Sequence, residues 1–181
     1  MNHEIGAMLT ASEGRYPTRA EQALLRGWAE QLEARLAAME AIRAAEEAIV
    51  AQVCDEVMAA YPNVEKFYKD MRASCVRDLS LVVRYCAQAL LRDDLQYLED
   101  SLLTWMASIL RGVGLAPAFI EDTYKTMSLV ASRELTPASA KLIQPFVAQC
   151  AAVLSGRTSG EVAAPLTPAQ AAGPGAGREA R

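Results

Sequence analysis

The sequence predicts an all-α domain. Apolar residues recur at helical spacing through most of the first 155 positions, and no run alternates apolar with polar residues between turn signals as a half-buried strand would. Hydrophobic residues make up 52% and charged residues 22% of 181 residues, the balance of one soluble globular core with room for a tail.

Taken in chain order, a short apolar segment around Ile5, Met8 and Leu9 comes first, too short to be stable alone. Pro17-Thr18 then opens a long helical segment. Between Gly27 and Pro62 lie 34 residues free of glycine and proline, with Leu32, Leu36, Met39, Ile42, Ile49, Val50, Val53 and Val57 near helical spacing. One straight helix of that length would measure ~51 Å, so a bend or break is expected within it. Pro62-Asn63 closes this segment and caps the next, expected from Val64 to about Leu91. A third follows Asp100 with Leu102, Leu103, Trp105, Met106, Ile109 and Leu110, and stops at Gly112 to Gly114. A helix from Pro117 to about Arg133 succeeds it, and Thr136-Pro137 starts the last one. Short connections between six or more helices fit a bundle or a globin type equally well. Residues 156–181 hold five of the ten glycines and three of the eight prolines, with Val162 and Leu166 as their only large apolar residues, and are expected to be a disordered tail.

The composition also excludes. Eighteen Lys and Arg against 22 Asp and Glu give a net charge of -4, which argues against a nucleic-acid or membrane-surface footprint. The only histidine is His3, in a segment expected to fray, which disfavours histidine-dependent hydrolases, zinc enzymes and histidine-ligated haem. No run approaches the ~20 apolar residues of a membrane span, and no leader pattern opens the chain, so a cytoplasmic protein is expected. Cys54, Cys75, Cys86 and Cys150 lack CxxC spacing and are expected to be reduced.

Residues 65–92 carry six basic and three acidic residues, a local +3 inside an acidic chain. That pattern fits a solvated helix face as well as an anion site. Arg72, Cys75, Asp78, Val82 and Tyr85 share one stripe of this helix, while Arg77 and Arg84 lie seven apart on another. Cys54, Cys86 and Cys150 sit among apolar neighbours and read as core filler. Cys75 differs, flanked by Ser74, Arg77 and Asp78, and Arg72 and Arg77 are expected to favour its thiolate. Asp78 fits a plain helix salt bridge equally well.

The run Cys75-Val-Arg77-Asp78-Leu-Ser-Leu-Val-Val-Arg84-Tyr85 resembles the Cys-x-Arg-Asp and Leu-Arg-Tyr signature of phycobiliprotein subunits, globin-like proteins that carry linear tetrapyrroles. Gly14-Arg15-Tyr16 resembles the turn between their two N-terminal extension helices, Asp94 and Asp100 fall at acidic loop positions, and Leu135-Thr136-Pro137 resembles the opening of the final helix. The resemblance covers nearly all of residues 1–155.

It implies a globin-like all-α fold with a two-helix N-terminal extension for oligomerisation in residues 1–27, a bilin-binding domain in residues 28–155, and the tail beyond. It implies no enzyme activity. Cys75 would form a thioether with a biliverdin-derived bilin such as phycocyanobilin or biliverdin, Asp78 would accept from the inner pyrrole N–H groups, and Arg77 would meet a propionate or ring edge. Arg72 would take the other propionate, and Arg84 would serve the subunit interface. Partners implied are a homodimer or higher homo-oligomer and enzymes of bilin biosynthesis, without nucleic acid or membrane insertion. Only twelve residues separate Pro62 from Cys75, so the loop roofing the pigment is shorter than in antenna subunits, and the extra attachment cysteine of some β-type subunits is missing. These departures favour the bilin-binding globins of non-photosynthetic bacteria encoded beside bilin biosynthesis genes, which would carry or store the pigment. The alternatives are a light-harvesting subunit, a pigment-free signalling or interaction domain, and, more remotely, an enzyme acting on bilins. Trp105, Tyr97 and Tyr124 fit core positions better than pocket walls and are not assigned to the site.

Overall fold

A computed structural model describes residues 2–64 and 70–156, and among these residues there are helices and no strand. Helix α1 (His3–Ala11) is capped by Asn2, whose side chain accepts from the Ile5 N–H. The expected fraying of His3 is not found. Its backbone N–H donates to Asp94 Oδ2 at 2.7 Å, and Ile5 is buried, so this short helix is stable because it is docked. The chain turns at Gly14, whose φ of +80° suits glycine, and enters α2 (Arg19–Glu30) through a capping box in which Thr18 and Glu21 bond to each other's backbone.

The expected break in the long segment lies at Gln31 (φ -91°, ψ -4°), between α2 and α3 (Leu32–Ala60). It falls beyond Gly27, so α2 crosses the boundary expected between residues 27 and 28. Arg35, one turn into α3, holds the elbow. Only 2% exposed, it donates to the Trp28 carbonyl at 2.6 Å, lies 5.1 Å from the Trp28 ring centroid, and pairs with Asp93 at 3.3 Å.

Helix α4 (Met71–Arg92) corrects the expected helix from Val64 to Leu91. Asp70 at its N-terminus is left-handed (φ 57°), and a right-handed helix cannot run through such a residue. Lys66, Lys69 and the expected tail beyond Gly156 lie outside the described residues. Asp93 is also left-handed and ends α4, and Asp94 caps α5 (Leu95–Leu98) by accepting from the Tyr97 N–H. A π-helical turn over Glu99–Leu103 leads into α6 (Thr104–Val113). Asp100 therefore sits inside a helical run and accepts from Gln96, which corrects its expected loop position. Gly114 (φ +82°) stops α6, and α7 (Pro117–Glu134) and α8 (Pro137–Ser155) follow, each with proline at its first position where the missing N–H costs nothing. Thr136 caps α8 as expected.

Helices α3, α4, α7 and α8 pack on one another around Val53, Val82, Met127, Val130 and Val147, while the π turn adds Leu102 and Leu103. By contrast α2 buries no residue, and Tyr16 and Leu24 are exposed on the same arm. The fold thus has a dense body and an N-terminal arm tied down at α1 and at the elbow.

Candidate functional site

Between α4, α6 and α7 lies a cavity of about 370 Å³, within the ~300–1,000 Å³ usual for small-molecule sites. Helix α4 supplies its chemistry. Cys75 and Asp78 stand one turn apart and both line it, as does the buried Leu79, because residues three and four apart share a helix face. Helix α6 adds Met106 and Leu110, and α7 adds Phe119 and Tyr124, so the walls are largely apolar. A groove of about 380 Å³ adjoins, sharing Arg77, Asp78, Met106, Ile109 and Leu110 and extending to Leu81, Arg84 and Trp105.

The five expected site residues do not all converge. Cys75 is 9% exposed at the cavity wall. Asp78 (side chain 33% exposed) accepts from Arg77 Nε at 2.8 Å, and Arg77 itself is 73% exposed. Arg72 is not among the cavity-lining residues; its guanidinium pairs with Asp55 of α3 at 2.5 Å. Arg84 pairs with Glu46 of α3 at 2.7 Å and borders the groove.

The expectation that nearby arginines favour the Cys75 thiolate is overturned. The thiol of Cys54 on α3, followed by burial and the negative charges of Cys54 and then Asp78, pushes the Cys75 thiol up against a smaller pull from Arg72. The Cys75 thiol in turn draws the Cys54 thiol down, with Arg72 adding to it. Arg72, paired with Asp55, thus acts on both thiols and is the smaller influence on Cys75.

Tyr124, not assigned to the site from sequence, lines the cavity. It is buried on α7 and has its hydroxyl pushed up by desolvation. The available signal was the polar pair Thr123-Tyr124 interrupting the apolar stripe of α7. Trp105 borders the groove and donates to the Ser101 carbonyl, whereas Tyr97 stacks near Tyr85 beneath Arg92, away from the cavity.

The sequence profile of the phycobilisome protein family matches residues 10–154, which span α2 to α8 and every residue of the site. The chain belongs to the phycobilisome protein family. No curated protein matches the chain. As a phycobilisome family protein it has the all-α, globin-like phycobiliprotein fold, and its function is related to that of proteins that bind linear tetrapyrroles, form oligomers and are generally not enzymes. Among the described residues no helix is long and apolar enough to cross a membrane.

Proposed function

We propose that this protein holds a biliverdin-derived linear tetrapyrrole through a thioether to Cys75, as a cytoplasmic carrier or storage protein working beside the enzymes that make the bilin. The observation that carries the reading is the position of Cys75, which lines the cavity with a carboxylate one turn away, while Cys54, Cys86 and Cys150 have no exposed surface. The residue types fit the group. A sulfur that adds across an exocyclic double bond of ring A gives a covalent anchor, Asp78 accepts several N–H donors, and apolar walls cover the ring faces. When bound, the bilin supplies visible absorption.

Arg77 and Arg72 serve as the propionate partners. Both guanidiniums are paired at the surface, and exposed ion pairs are worth only about 0–1 kcal/mol, so exchanging a protein carboxylate for a propionate costs little. The cavity and its adjoining groove share five lining residues of α4 and α6, an arrangement that suits an extended ligand more than a compact one. The N-terminal arm, residues 1–27, joins copies of the chain, because α2 is amphipathic yet buries none of its residues. Arg84 beside the groove belongs to the same assembly, and residues 156–181 act as a tail outside the pigment-binding domain of residues 28–155.

Co-expression with a haem oxygenase and a bilin reductase tests this. The purified chain should carry the bilin mass and show zinc-induced fluorescence on a denaturing gel, and Cys75→Ala should lose both while alanine at Cys86 or Cys150 does not. A colourless product would instead make this a pigment-free interaction domain. The family match equally favours a second reading, a light-harvesting subunit, which co-purification of a second homologous chain would support.

A further inference from the structure

Two of the polar groups at the cavity are satisfied by the protein itself. On α7 the Thr123 hydroxyl donates to the Phe119 carbonyl at 2.7 Å, and on α4 Asp78 accepts from Arg77 at 2.8 Å. Tyr124, next to Thr123, differs. It is 4% exposed and lines the cavity, yet among the described residues its hydroxyl meets no hydrogen-bond partner, whereas the phenols of Tyr61 and Tyr97 donate to Asp122 and Gln88. Nor is its oxygen sealed from solvent, since among the described residues the side-chain atoms both sealed and unpartnered are Nε and Nη1 of Arg35. The ring of Tyr124 is thus packed away while its hydroxyl opens onto the cavity.

A buried hydroxyl without a partner costs stability, and a bound ligand that completes it recovers the loss. We infer that the Tyr124 hydroxyl is a ligand-binding group that donates to a neutral carbonyl oxygen of the bound molecule, which in a linear tetrapyrrole is a ring lactam. The inference rests on the bilin reading above. Two observations choose the acceptor. Burial holds the phenol protonated, so it enters as a donor. Leu79, Met106 and Phe119, which line the same cavity, are apolar, buried and bring no cation, so a carboxylate held among them would be desolvated without a counter-ion, whereas a carbonyl carries no charge to desolvate.

The charges lie elsewhere on the same walls. Arg77 is largely exposed, and Asp78 beside it is one-third exposed. Polarity thus grades from a neutral donor at depth to a guanidinium at the surface. A tetrapyrrole with propionates on one edge and lactam carbonyls at its ends fits that gradient in one sense, propionates outward to arginine and a lactam inward to Tyr124. A closed macrocycle with propionates but no lactam leaves the phenol unmet, so this hydroxyl also favours an open tetrapyrrole over a closed one.

Tyr124→Phe keeps the ring and removes the hydroxyl, so it tests the inference without opening a void. Biliverdin is titrated into the full chain carrying Cys75→Ala, where binding stays reversible, with and without Tyr124→Phe. Covalent uptake at limiting biliverdin is compared in the chains that keep Cys75. The Kd should rise ~3–10-fold, uptake should slow in step, and the lactam carbonyl stretch of bound biliverdin should move to higher frequency as it loses its donor. In the pigment-free chain the same substitution should leave the melting temperature within ~2 °C of the wild type or above it, since the hydroxyl removed has no protein partner. A merely structural tyrosine would weaken the fold and leave the carbonyl stretch where it was. Biliverdin held equally well by both forms, an unmoved carbonyl stretch, or a melting temperature lowered by more than ~2 °C would each overturn the inference and leave the attachment reading standing. If biliverdin is taken up neither by the Cys75→Ala chain nor by the chain that keeps Cys75, the bilin reading fails and the inference with it.

Discussion

Replacing Asp78 with asparagine separates a pigment-holding carboxylate from an ordinary helix residue. Asp78 lies mid-helix on α4, away from the cap positions, and its protein partner is the mostly exposed Arg77, so the lost ion pair is worth under about 1 kcal/mol. For a domain of this size that shifts the melting temperature by no more than ~4 °C. Its negative charge opposes ionisation of Cys75 only as a lesser influence behind the Cys54 thiol and burial, so covalent attachment should survive the change. The pigment should not be so indifferent. A charge-assisted hydrogen bond contributes ~1.5–3 kcal/mol, and partial exposure places Asp78 at the lower end. Its loss should lower the pH at which the bound bilin gives up a ring proton by ~1 unit or more, since one unit corresponds to ~1.4 kcal/mol. Absorption spectra of the loaded Asp78→Asn protein across pH, beside a thermal melt, measure both effects. The long-wavelength band should weaken against the near-ultraviolet band, with the fold nearly as stable as before. An unchanged visible spectrum with an unchanged pH midpoint would make Asp78 a surface salt-bridge residue, and a melt lowered by much more than ~4 °C would make it structural.

Other parts of the fold give further expectations. Removing residues 1–27 should convert an oligomer to a monomer in sedimentation at micromolar concentration, and a full-length chain already monomeric there would refute the role of the arm. Arg35→Met should change stability by no more than about 1 kcal/mol, because the bond to Trp28, the stacking and the ion pair with half-exposed Asp93 that it loses are offset by relief of a buried guanidinium whose Nε and Nη1 make no hydrogen bond; Arg35→Ala, which leaves a void, should cost ~2–4 kcal/mol in urea unfolding. Glu21, held down to about 2 from 4.5 by the Arg15 guanidinium and then the Thr18 N–H, stabilises the start of α2 above its unfolded pKa, and that contribution is lost as pH falls from about 4.5 through about 2. Amide exchange in α2 should rise over that window in the wild type and stay flat in Glu21→Gln.

Most of the fold was legible because its boundaries are written in residues with one local meaning. Thr18 with Glu21, Gly114, Pro117 and Thr136-Pro137 fix helix ends through caps and turns that neighbouring chain cannot override. The failures lie where an ordinary residue adopts a rare conformation. Asp70 and Asp93 are left-handed, and an aspartate does not announce it; the break at Gln31 was expected in its segment, and only its position is not marked by the residue type. Asp100 differs for another reason: its loop position is what the family resemblance implies, and here it lies in the first turn of a π segment instead. His3 was misread as frayed because its anchor, Asp94, lies 91 residues away.

The candidate site was legible only along one helix. Spacing on α4 places Cys75 and Asp78 on one face, but the partners that decide the charge around them come from α3: Asp55 on Arg72, Glu46 on Arg84, and Cys54 on Cys75. Two of the three arginines therefore lash α4 to α3, and Cys75 is held protonated where sequence alone suggests a ready thiolate. This has a measurable consequence for attachment. If the thiolate is the adding species, the uncatalysed rate should rise ~10-fold per pH unit through the neutral range, because the thiol titrates far above it. Cys54→Ser should shift that profile to lower pH by removing the thiol named first among the causes that hold the proton on Cys75. Mixing the reduced protein with free bilin at pH 6.5 to 8.5 and following the covalent product on denaturing gels gives the slope. A rate already level across this range would mean that Cys75 is ionised before the bilin arrives, and would restore the arginines to the role their positions first suggested.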